Sequence, residues 1–98
     1  MGFVPLSRAT MGLRGDPGER PMRVGSVKPG SPAAAAGIQP GDRVRQADGQ
    51  ALTDFGAFLH WLRTKQPGDK VTIQIERDGQ LIDYPVMLEP RDVTYSVR

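Results

Sequence analysis

The stretch SPAAAAGIQPGDRVRQADGQ, residues 31–50, carries helix and turn signals in close succession. Ser31 is a favourable helix N-cap, and Pro32 suits the first helical position, where no backbone N–H is needed. The alanines that follow have high helix propensity, and Gly37 is a favourable left-handed residue to end the helix. We therefore expect a short helix over residues 32–36.

Strands are expected on both sides of this helix. MRVGSV, residues 22–27, alternates apolar Met22 and Val24 with other residues, which favours a strand. After the helix, Pro40-Gly41 turns the chain and the Asp42 side chain can accept hydrogen bonds from nearby backbone N–H groups. A second strand then runs through residues 42–47. Asp48-Gly49 follows it and is typical of a hairpin turn.

One long helix and one hairpin are predicted in the second half of the chain. Thr53 or Asp54 caps a helix that we expect near residues 54–65. Four apolar residues in it follow the i, i+3, i+4, i+7 spacing of one helix face: Phe55, Phe58, Leu59 and Leu62. His60 falls on the opposite, solvent side. Residues 71–77 and 80–88 alternate as strands around Asp78-Gly79, a second hairpin turn.

Composition limits the possible classes of protein. The 98 residues suit one domain, and the hydrophobic (38%) and charged (24%) fractions are those of an ordinary globular chain. The net charge of +2 is spread along the sequence and gives no footprint for nucleic acid. Without cysteine there is neither a disulfide nor thiolate chemistry, and the compartment stays undetermined. No apolar run approaches the length of a membrane span.

Catalytic chemistry finds little support in the sequence. The chain has one histidine and no cysteine, and no Ser/His/Asp arrangement suggests a nucleophilic site. Asp42 and Asp69 each follow Pro-Gly, where a carboxylate stabilises a turn. We therefore predict a non-catalytic domain that needs no cofactor and no metal.

Three fragments in this order carry a resemblance to a known family: residues 27–42, which include PGSPAAAAGIQPGD, then DGQAL (48–52) and KQPGDKVTIQIERDG (65–79). With the helix between them, they resemble a PDZ domain of the kind found in bacterial proteases. Such domains accompany high-temperature-requirement serine proteases, tail-specific proteases and site-2 metalloproteases. The resemblance implies a mainly β fold with two helices, as a partly open five- or six-stranded antiparallel barrel or sandwich.

The resemblance also implies domain bounds, partners and a setting. Residues 10–90 would form the domain, residues 1–9 a lead-in, and residues 91–98 an extension or the start of the next segment. The partners would be C-terminal or unfolded peptide segments and a neighbouring catalytic domain of a larger protease. Nucleic acid and metal are not expected partners. The family favours a periplasmic, cell-envelope or secreted location.

What the family implies for function is a groove that captures the C-terminal end of a peptide by strand addition. An exposed strand edge beside an apolar helix agrees with this, because unpaired N–H and C=O groups can pair with a peptide backbone. The family's carboxylate-binding loop, hydrophobic-Gly-hydrophobic, is matched by Met11, Gly12 and Leu13. Gly12→Val is expected to weaken peptide binding and to leave the fold intact, because a Cβ would hinder the loop conformation.

Further groove residues follow from the same resemblance. Met11, Leu13 and Leu62 would surround the last peptide side chain, and Phe55 and Leu59 would face the residues before it. The family's Ser/Thr-reading class has a histidine at the first helix position, where this chain has Phe55. The third-last peptide residue is therefore expected to be apolar. Two arginines complete the implied set: Arg14 in the groove and Arg8 as an attraction for the carboxylate.

Two alternatives remain open at this point. Each apolar residue named for the groove can instead belong to the core: we favour the core for Phe58, and for Phe55 both roles are equally supported. The second alternative concerns function. A structural or regulatory domain would have its groove filled by its own chain, through FVPLS (3–7) or DVTYSVR (92–98).

Overall fold

A computed structural model describes residues 9–90 of the chain. Two helices lie among strands, α1 (Pro32–Ala36) and α2 (Phe55–Leu62). The strands, in chain order, are β1 (Ala9–Thr10), β2 (Leu13–Gly15), β3 (Met22–Val27), β4 (Arg43–Ala47), β5 (Gln50–Ala51), β6 (Lys70–Arg77), β7 (Gln80–Met87) and β8 (Glu89–Pro90). No helix within residues 9–90 is long and apolar enough to cross a membrane.

All strand pairs are antiparallel and form two sheets. The larger sheet has six strands in the order β2-β3-β4-β6-β7, with β5 paired to β4. The smaller sheet consists of β1 and β8, so the two ends of the described chain lie side by side. Because β2 and β7 are both edge strands, the larger sheet does not close within residues 9–90. The predicted mainly β, partly open fold with two helices is confirmed.

The short helix forms as its sequence predicts. Ser31 Oγ accepts a hydrogen bond from Ala34 N at 3.2 Å, which satisfies one of the N–H groups left free at a helix start. Gly37 ends the helix at φ 103°, and its N–H donates to the carbonyls of Ala33 and Ala34. The cap and the stop therefore confirm a helix over residues 32–36.

The long helix is shorter than predicted. Asp54 caps it, with Oδ1 accepting from Ala57 N at 2.8 Å. It ends at Leu62, three residues before the predicted end at Lys65. The chain there tightens into turns: Thr64 N and Thr64 Oγ1 both donate to Trp61 O, and Lys65 N donates to Leu62 O. These bonds span three residues rather than four, so helical geometry has already been lost.

The core lies between the inner faces of the strands and the buried sides of both helices. In the β6–β7 hairpin, Ile73 opposes Tyr84 and Ile75 opposes Ile82, which places alternate side chains on the inner face. The buried apolar side chains form one cluster: Met11, Met22, Val24, Ala33, Ile38, Val44, Ala47, Leu52, Phe58, Trp61, Val71, Ile73, Ile75, Val86 and Leu88. A single core therefore holds both helices to the sheet.

A polar cluster, here called the Asp42 corner, joins α1 to the hairpin through Gly37, Asp42, Arg77 and Tyr84. Asp42 is 2% exposed and accepts from Arg77 Nε at 2.8 Å, from Arg77 Nη2 at 2.7 Å and from Gln39 N at 2.8 Å. Arg77 Nη2 also donates to Gly37 O at 2.9 Å, and its guanidinium lies 5.7 Å from the Tyr84 ring centre. The hydrogen bonds to Asp42 raise the pKa of Arg77 further above its usual value.

Candidate functional site

An open cleft of about 1370 Å³ lies between the edge of β2 and helix α2. Its walls come from four parts of the chain: residues 9–14, residues 26–32, one side of α2 and residues 89–90. The sequence brings these parts together because β2 is an edge strand and α2 packs on the core beside it. The cleft therefore has a strand edge on one side and an apolar helix on the other.

The edge of β2 offers free backbone groups to this cleft. Lys28 N donates to Gly12 O at 2.7 Å, and the next cross-strand pair joins Leu13 with Val27. Bonding alternates along antiparallel strands, so the N–H and C=O of Leu13 point away from β3. No strand formed by residues 9–90 lies on that side of the larger sheet. Leu13 therefore presents both a donor and an acceptor to the cleft.

The loop before β2 holds two further free donors. Met11 O accepts from Ala33 N at 2.9 Å and Gly12 O accepts from Lys28 N, so both loop carbonyls are engaged. Within residues 9–90, by contrast, the amides of Met11 and Gly12 donate to no protein acceptor. With the amide of Leu13 they make three successive N–H groups at the cleft. Such an arrangement suits an anion.

Glycine is required at position 12 for two reasons. Its φ of +84° lies in the left-handed region, which side chains disfavour. An added Cβ would also lie 2.1 Å from Ser31 Cβ and 2.5 Å from Ser31 Oγ. Because Ser31 caps α1, a side chain at position 12 would disturb both the loop and the helix. The prediction that Gly12→Val leaves the fold intact is therefore revised: a loss of stability is expected as well.

Helix α2 presents two rows of apolar side chains. Phe58 and Trp61 are buried, and their rings lie 5.9 Å apart in the core. Phe55, Leu59 and Leu62 are half-buried and line the cleft. The core role favoured for Phe58 agrees with its burial, while Phe55 packs against the core and lines the cleft at once.

The far end of the cleft is narrowed by a contact between Phe55 and Gly15. A Cβ added to Gly15 would lie 2.7 Å from Phe55 Cβ and 2.8 Å from two of its ring carbons. The pairing of β2 with β3 also shifts register between Arg14 and Gly15. A peptide can therefore pair regularly only with the first residues of β2. Beyond them, at Gly15, Phe55 covers the strand.

Charges around the cleft are mainly positive. Arg14, Lys28 and Arg63 line it and are exposed. Six ion pairs join described residues, and none of the six includes these three cations. Glu89 is the one carboxylate among the described cleft residues. The cleft therefore has an excess of positive charge that no side chain within residues 9–90 neutralises.

The structure brings most of the predicted groove residues to one place. Seven line the cleft: Met11, Gly12, Leu13, Arg14, Phe55, Leu59 and Leu62, with Phe55 at its far end. Met11 is 1% exposed, so its side chain belongs mainly to the core. Arg8 lies outside the described residues, as do both candidate filler segments, 3–7 and 92–98. His60 is exposed and lies away from the cleft, as expected.

Sequence reasoning missed several residues of the cleft and of the core, among them Arg63, which we expected on the helix side opposite the apolar stripe and which lines the cleft. Lys28 and Ser31 reach the cleft because β3 and α1 flank the loop, a tertiary relation without a local signal. Trp61 did have a signal: it lies three residues after Phe58, so the apolar sector of α2 is wider than the predicted stripe. That extra width lets one helix serve the core and the cleft.

Comparison with known proteins agrees with this geometry. The family model for the PDZ domain matches residues 9–88. A Brucella suis protein that carries the name of a zinc metalloprotease is 42% identical over 60 residues, 61% of this chain and 16% of its own length. The regulator of sigma-E protease RseP of Escherichia coli is 36% identical over 66 residues, 67% of this chain and 14% of its own length. The chain thus spans about one sixth of such relatives.

Solved structures share the fold. A variant of the HtrA-type protease AlgW with a decapeptide superposes with a TM-score of 0.82 over 90% of this chain and 30% of its own. Sequence identity there is 23%, so the likeness concerns the fold alone. The order of strands and helices described above is therefore that of domains found in bacterial proteases.

Proposed function

The chain belongs to the PDZ family of protein- and peptide-binding domains, in its protease-associated type, and on that premise we propose that it captures the hydrophobic C-terminal ends of peptide segments. The peptide adds as a strand to the edge of β2. Its terminal carboxylate accepts hydrogen bonds from the loop of Met11, Gly12 and Leu13. The domain itself carries out no catalysis.

The observation that carries this proposal is the set of unused amides in the loop. Buried or half-buried backbone N–H groups are normally paired, and the amides of Met11 and Gly12 have no protein acceptor within residues 9–90. A carboxylate offers two acceptor oxygens at the spacing that adjacent amides require. Arg63, exposed at the end of α2, adds long-range attraction. A chain end with a free carboxylate therefore suits this loop better than an internal peptide segment.

The apolar side of the cleft complements an apolar terminal residue. Leu13, Leu59 and Leu62 are half-buried around the loop, so a peptide side chain placed there removes further apolar surface from water. Such burial contributes about 1.5–3 kcal/mol for a Val, Leu or Phe side chain. The last peptide residue is accordingly proposed to be apolar.

The relatives support a role within a larger protein. The matched proteins carry protease names and are about six times longer than the matched region. We propose that this domain recognises substrates or regulates a neighbouring catalytic domain in such a protein. A groove that recognises chain ends suits this role, because proteolysis and misfolding expose them.

Calorimetry with free-acid and amidated peptides tests the proposal. The full chain is titrated with two hexapeptides that end in Val and differ only in C-terminal amidation. Amidation removes the charge and one acceptor, and a charge-assisted hydrogen bond contributes about 1.5–3 kcal/mol. Affinity should therefore fall about tenfold or more. Equal affinities would contradict the proposal.

The same titration distinguishes a groove filled by its own chain. The chain is measured with and without residues 91–98, and a parallel sample carries substitutions in residues 3–7. Under the proposal, peptide affinity stays within about twofold in all three samples. A large gain after removal of either segment would support the structural or regulatory alternative, because the peptide would then be competing with that segment.

A further inference from the structure

Two exposed cations share the outer face of the β2–β3 pair. Arg14 opposes Ser26 on β3. Lys28 is two residues after Ser26, just past the end of β3, and its bond to Gly12 O continues the register there, so alternation places the Arg14 and Lys28 side chains on one face. The residue across from Lys28 is Gly12, which has no side chain to cover it. Both cations line the cleft and are exposed.

Neighbouring carboxylates do not neutralise this pair of cations. Asp16, two residues after Arg14, is bound by the Arg23 guanidinium. Glu89 lies on β8 beside Thr10 and so flanks the loop rather than the face that carries Arg14. No ion pair within residues 9–90 includes Arg14 or Lys28. Two positive charges at the rim of the cleft thus have no ion-pair partner in the described part of the chain.

The direction of a bound peptide fixes which of its side chains meets these charges. Its carboxylate lies at the loop before β2, so the rest of the peptide runs along β2 in the antiparallel sense. Opposed residues of an antiparallel pair place their side chains on the same face. The last side chain therefore points inward with Leu13, and the penultimate side chain points outward beside Arg14.

We propose that the groove selects peptides with an acidic side chain at the penultimate position, recognised by Arg14 and Lys28. This inference rests on the proposed capture of chain ends and adds a charge preference to it. The third-last residue lies at Gly15 and Phe55, where the cleft narrows, so positions further from the carboxylate contribute less. The preferred ligand is a chain end of the pattern apolar-acidic-apolar.

Matched peptides measure this preference on the full chain. Three free-acid hexapeptides end in Val-Glu-Val, Val-Gln-Val and Val-Lys-Val. Exposed ion pairs are individually weak, and two cations acting on one carboxylate should favour Glu over Gln by about fivefold. Lys should bind more weakly than Gln. The preference should shrink between 0.05 and 0.5 M salt, because screening lengths shorten over that range.

Substitutions assign the preference to the two residues. Arg14→Gln and Lys28→Gln should each reduce the ratio of Glu to Gln affinity, and the double substitution should abolish it. Arg14→Glu should reverse the preference towards Lys. Lys70→Gln is the control, because Lys70 is an exposed cation on β6 that does not line the cleft. It should leave the ratio unchanged.

The outcomes separate this inference from the function on which it rests. If the free acid binds better than the amide but Glu and Gln bind equally, the groove recognises chain ends and the charge preference is wrong. If the amide binds as well as the free acid, the proposed function itself fails. A ratio that persists in the Arg14→Gln, Lys28→Gln double variant would also overturn the inference, because other residues would then recognise the acid.

Discussion

The Asp42 corner and the loop at Met11–Leu13 have similar local structures but differ in how many of their polar groups are hydrogen-bonded. Both contain a glycine at positive φ, and both lie beside a terminus of α1. At the corner, every carboxylate oxygen of Asp42 has a partner, and Arg77 is held by Asp42 and by Gly37 O. At the loop, the carbonyls of Met11 and Gly12 accept hydrogen bonds, while their amides have no acceptor among residues 9–90.

The difference between them indicates how the fold separates stability from binding. A satisfied polar cluster in a poorly hydrated site fixes one geometry, whereas unpaired groups keep their bonding capacity for a ligand. The corner ties α1 to the hairpin, and this holds the loop that α1 supports through the bond from Ala33 N to Met11 O. Substitutions at the corner should therefore affect folding, and substitutions at the loop should affect binding too.

The largest effect is expected for Asp42→Ala. It leaves the Arg77 guanidinium without its anion and removes the acceptor of Gln39 N. Loss of one partner from a buried pair costs about 3–5 kcal/mol, and because Arg77 is 26% exposed we expect about 3 kcal/mol. Urea unfolding measures this loss of unfolding free energy.

Asp83→Ala is the control for Asp42→Ala, because Asp83 is exposed on β7. It should change the free energy of unfolding by less than about 0.5 kcal/mol. Peptide affinity, measured where the Asp42→Ala variant is folded, should match that of the unchanged chain. A large loss of affinity in the folded variant would mean that the corner and the loop are not separate.

Gly12→Ala should lower both stability and binding. The left-handed conformation and the overlap with Ser31 together should cost about 2–3 kcal/mol. Gly49→Ala is the matched control, because Gly49 has φ +80° and no atom within 4 Å of an added Cβ. It should cost about 1 kcal/mol and leave peptide affinity unchanged. If Gly12→Ala and Gly49→Ala lose equal stability in thermal unfolding, the contact with Ser31 is unimportant.

Gly15→Ala probes the contact that narrows the cleft. Its Cβ would overlap Phe55, so the start of α2 must shift, at a cost of about 1–2 kcal/mol. Gly56 follows Phe55 in α2, and the nearest atom to an added Cβ there is Asp54 Oδ1, at an ordinary contact distance of 3.5 Å. Gly56→Ala should therefore stabilise the folded chain by up to about 1 kcal/mol, through higher helix propensity. Gly15→Ala should therefore lower the melting temperature, and Gly56→Ala should raise it. If both substitutions are neutral, Phe55 is not held against β2.

The smallest effect concerns the third-last peptide residue. Phe55 offers no hydrogen bond there, so a Val should bind better than the isosteric Thr, whose hydroxyl loses water without gaining a partner. We expect about a fivefold difference by calorimetry. A peptide array in which Ser or Thr dominates this position would show that Phe55 does not face it.

Local signals accounted for much of the fold. Ser31, Gly37 and the two Asp-Gly turns act through bonds to residues within a few positions, so the sequence predicts α1 and both hairpin turns closely. The short strands β1 and β8 exist only because their two segments pair across the whole domain, and nothing in Ala9–Thr10 signals that. The end of α2 depended on Thr64, whose hydroxyl competes for Trp61 O.

The candidate site was predictable only through the family pattern. That pattern identified the loop at Gly12 and the apolar residues of α2, and the domain bounds and ligand-contacting roles stay predictions. The contact of Phe55 with Gly15 arises from packing between elements forty residues apart. Within residues 9–90, Arg14 and Lys28 have no ion pair because nearby carboxylates such as Asp16 are bound by other cations. Neither relation can be obtained from spacing along the chain.

The pairing of β1 with β8 brings the two ends of the domain together. Ala9 opposes Pro90 and Thr10 opposes Glu89, so the chain enters and leaves at points about 5 Å apart. A larger protein can therefore contain the domain as an insertion without moving the two flanking segments apart. The loop begins at Met11, one residue after this crossing point. If the domain captures chain ends as proposed, a force on the captured chain would act on the loop next to the point where the domain joins its flanking segments.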